Sequence, residues 1–182
     1  MQRMIRHRRK TAQTDYKRRV ALLKGGTKRL VVRRSNKAIT MQIIEYGIEG
    51  DRVALSASSR ELKALGWEPR CNIPTAYLTG MLLARKAKDI DCECVLDTGL
   101  YRPVKGSVIF AAARGFQDNG AKLRSGIEFD GARLSGSHIA QYAKGASGSD
   151  YTKRFSAYEK AGFDVKDIMQ KFEAVKKEIS NK

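Results

Sequence analysis

The sequence predicts an α/β fold: a mixed β-sheet, made of a three-stranded antiparallel meander plus a parallel strand added through a βαβ crossover, packed with helices. A basic N-terminal arm and a helical C-terminal extension flank it. Three observations carry this expectation. Apolar and β-branched residues alternate with polar ones from about residue 30 to 57, interrupted twice by turn chemistry. The apolar period then becomes helical, with one short strand-like run near 92–96. A strand, a helix and a second strand in succession are the parts of a parallel crossover.

The elements follow in order. Met1 to Gln13 is cationic and poor in apolar residues, so it is expected to need a partner for order. Thr14 or Asp15 can cap a helix from Tyr16 to Lys24, closed by Gly25-Gly26. Leu30 to Arg34 and Ile39 to Tyr46 read as strands joined by Ser35-Asn36-Lys37, and Val53, Leu55 and Ala57 alternate in a third. Ser58-x-x-Glu61 is a capping box for a brief helix stopped at Gly66. Asn72-Ile73-Pro74 opens a helix to about Lys88, apolar nearly all round and so expected to be buried. Cys92 to Leu96 is the fourth strand, and Ser107 to Asn119 a helix closed by Gly120. A Gly/Ser-rich link, Lys144 to Ser149, leads to two helical segments, the last with Val165, Ile168, Met169, Phe172, Val175 and Ile179 on one face. The expected division is an arm (1–14), a core (15–143) and an extension (144–182).

The 182 residues can bury a core of their own, and their charge is the unusual feature: 36 Lys+Arg against 19 Asp+Glu, a net +17. Residues 1–37 hold 14 bases and one acid, Asp15, whereas the rest of the chain is close to balance. Such an excess calls for a polyanionic partner. The arm lacks the bulky apolar face of an interfacial helix, and the most apolar window, Ile73 to Ala84, is too short to span a bilayer, so a membrane is not expected. MQRMIRHRRK has no apolar run after its charges, and three cysteines do not suggest a disulfide framework, so a reducing, cytoplasmic setting is the expectation.

The cations are the candidate site. Arg3, Arg6, Arg8, Arg9 and Lys10 can track a phosphate groove as an extended arm. Lys17, Arg18, Arg19 and Lys24 give the first helix a cationic side, with Tyr16 offering a ring for an exposed base. Lys28, Arg29, Arg33, Arg34 and Lys37 lie on or beside the first hairpin, where Ser35 and Asn36 add short polar groups for ribose or base edges. The loop DTGLYRPVKGS, Asp97 to Ser107, offers Arg102, Lys105 and a helix start for a backbone phosphate, but matches no nucleotide-binding fingerprint. RNA is favoured over DNA because no helix-turn-helix, zinc finger or basic zipper is present. Cys92-x-Cys94 reads as packed core thiols, since two histidines, His7 and His138, do not complete a zinc set. No cofactor, metal or small-molecule substrate is implied. An alternative of a different class, a metal-dependent nuclease or phosphate-handling α/β enzyme, would use Asp91, Glu93 and Asp97, with Asp89 nearby. Against it, acids at strand ends are usually solvated.

Several stretches resemble the archaeal form of the large-subunit ribosomal protein eighteen family, which binds 5S rRNA. They are DYKRRVALLKGGTKRLVVRRSNKAITMQII, YGIEGDRVALSASSRELKALGW, NIPTAYLTGMLLARKA and CVLDTGLYRPVKGSVIFAAARGFQDNG. KRFSAYEKAGFDVKDIMQKFEAVKK resembles the extension of archaeal and eukaryotic members. The resemblance implies a non-enzymatic constituent of the large subunit that attaches 5S rRNA to large-subunit rRNA in the central protuberance, beside neighbouring ribosomal proteins. By position, Tyr16 to Arg19 and Arg33 to Lys37 match the family's RNA-contacting segment. Leu123-Arg124-Ser125-Gly126 departs from the Ile-Pro-His-type turn of many relatives.

Overall fold

Strand β1 (Lys28–Arg34) is the hub. In this computed structural model, which describes residues 11–88, 93–124, 126–146 and 148–181, β1 pairs on one side with β2 (Ile39–Gly47) and on the other with β4 (Cys94–Asp97). Strand β3 (Gly50–Ser58) closes the order β3-β2-β1-β4. The β1–β2 and β2–β3 pairs are antiparallel and the β1–β4 pair is parallel, so the sheet is mixed as the sequence predicts. The first turn closes through Ser35, whose N–H donates to Ala38 O at 2.8 Å and whose hydroxyl accepts from Ala38 N at 3.0 Å.

Alternation puts Leu30, Val32, Met41, Ile43 and Ala57 on one buried face. Val53 leaves this pattern. Ile43 pairs with Leu55 but Ile44 with Val53, so Ala54 is an extra residue, and the bulge turns Val53 outward, 47% exposed. Helix α1 (Tyr16–Lys24) is capped by Asp15, which accepts from Arg18 N at 3.0 Å. The capping box at Ser58 and Glu61 opens a 3-10 turn, Ser59–Leu65.

Helices α2 (Ile73–Lys86) and α3 (Val108–Asp118) pack on the apolar face, α2 against β2 and β3 and α3 against β1. They touch backbone to backbone. A Cβ at Gly80 would overlap Ala112 O, and one at Gly115 would overlap Tyr77 O. Every residue of α2 from Ile73 to Ala84 is buried, which explains why its sequence is apolar nearly all round, with Thr75 and Thr79 the buried exceptions.

Two short helices that the sequence left unassigned, α4 (Gly131–Ser135) and α5 (Ser137–Gly145), precede α6 (Ser149–Glu159) and α7 (Ile168–Asn181). The apolar face of α7 meets the body: Phe172 packs edge-on against Trp67, with ring centroids 6.3 Å apart, and lies 5.7 Å from Tyr77. Met169, expected on that face, is 43% exposed at its margin. Residues 155–179 thus contribute to the same core as the sheet and α2. Near the departing turn, Cys94 N donates to Lys122 O and Arg124 N to Cys94 O, which covers the free edge of β4.

Candidate nucleic-acid interface

The face of β1 opposite the core carries Arg29, Val31 and Arg33, and chemistry there converges on one carboxylate. Asp97 ends β4 beside them and is 7% exposed. Its Oδ2 accepts from Arg29 Nη1 at 3.1 Å, and its Oδ1 from Arg33 Nη2 at 3.2 Å and Gly99 N at 2.8 Å. Burial by itself would raise the Asp97 pKa. The Gly99 N–H and the two guanidiniums more than offset that, holding the carboxyl below the usual aspartate range. Gly99 is at φ +61, and a Cβ there would come within 2.8 Å of Arg33 Cζ, so glycine serves both the turn and the close approach.

Arg33 also donates through Nη1 to Asp97 O at 2.8 Å and to Val32 O at 2.9 Å. This fastens the 97–107 loop to the end of β1. Arg18 Nη1 donates to Gly99 O at 3.2 Å, and Arg19 Nη2 to Asp51 Oδ2 at 2.7 Å, bringing α1 over the same place. An open cleft of about 630 Å³ remains between α1, the sheet and the loop. On the far side of the hairpin tip, Tyr101 donates its hydroxyl to Arg34 O at 3.0 Å, and Arg34 Cζ sits 5.0 Å from the Tyr101 ring centroid. Arg34, Ser35, Asn36, Cys71 and Tyr101 enclose a hollow of about 400 Å³. Burial there pushes the Cys71 thiol up, against the opposing pull of Arg34.

The sequence-derived site residues fall into four groups. Lys17, Lys24, Arg33, Arg34, Ser35, Asn36, Lys37, Arg102 and Lys105 are exposed, and Tyr16, Arg18, Arg19 and Lys28 are half-buried. Lys28 pairs with Glu45 at 2.6 Å, which lowers the Glu45 pKa. Arg29 departs from the expectation. Its side chain is 4% exposed, bonded to Asp97 and 2.8 Å from Asp51 Oδ2 without aligned hydrogen-bond geometry. It has no surface to offer a phosphate and acts as an internal counter-ion. Arg3, Arg6, Arg8, Arg9 and Lys10 lie outside the described residues. Tyr101 was missed; its signal was a lone aromatic beside Arg102 in a loop valued only for its cations and glycines.

The two described acids of the nuclease alternative are each engaged by protein donors. Asp97 spends both oxygens on protein donors, and Glu93 Oε2 pairs with Arg124 Nε at 2.8 Å. Asp89, Asp91 and Cys92 lie outside the described residues. Among the described residues no three His, Cys, Asp or Glu side chains are grouped to hold a metal, and no helix is long and apolar enough to cross a membrane.

A family model described as ribosomal large subunit proteins 60S L5 and 50S L18 matches residues 2–91. The chain is 41% identical, over 180 residues, to the large ribosomal subunit protein uL18 of Methanococcus maripaludis. That alignment spans 96% of this chain and 93% of the relative.

Proposed function

The chain belongs to the family of ribosomal large-subunit proteins that includes 60S L5 and 50S L18, a structural and non-enzymatic kind of protein, and from that premise we propose that it binds 5S rRNA. It fastens that RNA to the large-subunit rRNA in the central protuberance, among neighbouring ribosomal proteins of the cytoplasmic ribosome. The observation that carries this reading is the Asp97 hub, which ties α1, β1 and the 97–107 loop together. On these elements and the hairpin turn beside them, Lys17, Arg33, Arg34, Lys37, Arg102 and Lys105 are exposed, and we read them as a cationic rim. Cations on fixed elements lose less entropy when they engage phosphates than cations on a loose tail. The arm of residues 1–14 adds phosphate contacts, the core of 15–143 aims the rim, and the extension of 144–182 buttresses the core.

The structural role of Arg29 and Arg33 at the Asp97 hub decides how to test this. A truncation at residue 37 would remove β1, the strand between β2 and β4, and so would report unfolding. Replacing Lys17, Arg34 and Lys37 by Ala leaves the Asp97 hub intact. The triple variant should keep its circular dichroism and thermal midpoint but lose 5S rRNA affinity. The slope of log affinity against log salt should fall by about 0.7–0.9 per lost phosphate contact. Wild-type affinity and slope in the folded variant would remove this rim from the interface.

A further inference from the structure

A second aromatic and cationic site lies far along the chain from that rim, between α5 and α6. His138, Ile139 and Tyr142 of α5 and Arg154 and Phe155 of α6 line an open cavity of about 550 Å³. Tyr142 is 44% exposed although it is one of the largest side chains on α5. Arg154 Cζ lies 5.2 Å from its ring centroid, so an exposed guanidinium is already stacked on an aromatic. Phe155 backs the pair, 6.0 Å from Tyr142 and 5.0 Å from Tyr151. At the cavity wall His138 Nδ1 is buried and has no hydrogen-bond partner among the described residues.

We propose that this cavity takes one unstacked nucleobase of single-stranded RNA, giving the junction of core and extension an RNA contact of its own. The base would stack on the Arg154–Tyr142 pair, beside Ile139, Phe155 and His138. Burial, with help from Arg133 and against Asp130, lowers the His138 pKa. The exposed Lys144 on α5 and Lys153 and Arg154 on α6 supply cations for the flanking phosphates, with Asp150 the acid on the first turn of α6. An apolar protein segment fits less well, because it would bury the Arg154 charge without a partner. The proposal does not depend on which RNA the hairpin rim holds.

The full-length protein with a single-stranded RNA decamer carrying 4-thiouridine tests it. After irradiation, peptide mapping should find nucleotide adducts on the His138–Phe155 stretch as well as in the basic N-terminal region; adducts confined to residues 1–37 would overturn the proposal. Independently, the decamer's affinity is measured in salt high enough to suppress phosphate contacts. Tyr142→Ala should weaken it by about fivefold or more, the loss of one base–aromatic stack, and Tyr142→Phe should restore it. Unchanged affinity in Tyr142→Ala would also overturn it. So would irradiation of assembled large subunits that joins this stretch to a protein and not to rRNA.

Discussion

The two faces of β1 are built from neighbouring residues and work by opposite physics. On one face Leu30 and Val32 are fully buried against helices; on the other Arg29 and Arg33 meet a carboxylate. The apolar face is stabilised in proportion to area and tolerates shape changes of similar volume. The charged face depends on direction and on every partner being present, since a buried charge left alone costs far more than a lost contact. One strand is therefore the centre of a core and the mount for a cationic rim at once. Alternation sends the two jobs to opposite sides.

The largest effect should come from the apolar face. Leu30→Ala deletes a fully buried side chain and should cost about 3–4 kcal/mol in urea unfolding, with no new pH dependence. A cost under about 1 kcal/mol would mean the sheet is anchored mainly by its charges.

Asp97→Ala comes next. Removing one partner of a buried pair typically costs 3–5 kcal/mol, and Asp51 still lies beside Arg29, so about 2–3 kcal/mol is expected here. The Arg29→Met and Asp97→Ala changes should couple by about 1–3 kcal/mol in a double-mutant cycle, because they share that pair. The acid limb offers a separate check. The folded Asp97 pKa lies below its unfolded value, so its contribution is complete above the ordinary 3.8 and fades as pH falls through the lower folded value. Asp97→Asn should therefore flatten the loss of stability below about pH 4, and an identical acid limb would show that Asp97 is not held low.

How much of this was legible follows the same division. The apolar face announced itself by period: Leu30, Val32, Ile39, Met41 and Ile43 fell on the buried side as read. Local chemistry was equally readable at Asp15, Ser58 and Glu61, whose caps need only neighbours in sequence. Arg29 and Asp97 were misread, one as a phosphate contact and the other as a solvated acid, because their roles depend on a pairing 68 residues apart. Val53 was misplaced because a single extra residue inverts parity beyond it, and nothing in VALSAS marks the bulge. Helices α4 and α5 went unseen since each is short and is defined by its docking against the body more than by its own period.

The smallest effect should appear where charge acts alone. Helix α1 buries no residue fully; Arg18 ties it to Gly99 O and Arg19 to Asp51. The Arg19 and Asp51 side chains are 32% and 24% exposed, so water and salt screen the pair, and Arg19→Ala should cost under about 1 kcal/mol of global stability. Its local consequence is sharper. With one tether gone, α1 should open more often while β1 stays closed, so hydrogen exchange in residues 18–24 should quicken several-fold and exchange in residues 29–33 should not. Equal acceleration in both segments would mean that α1 and β1 open as one unit. In that case the charged face is part of the core's cooperative structure, and the contrast between the two faces of β1 is one of chemistry without a difference in stability.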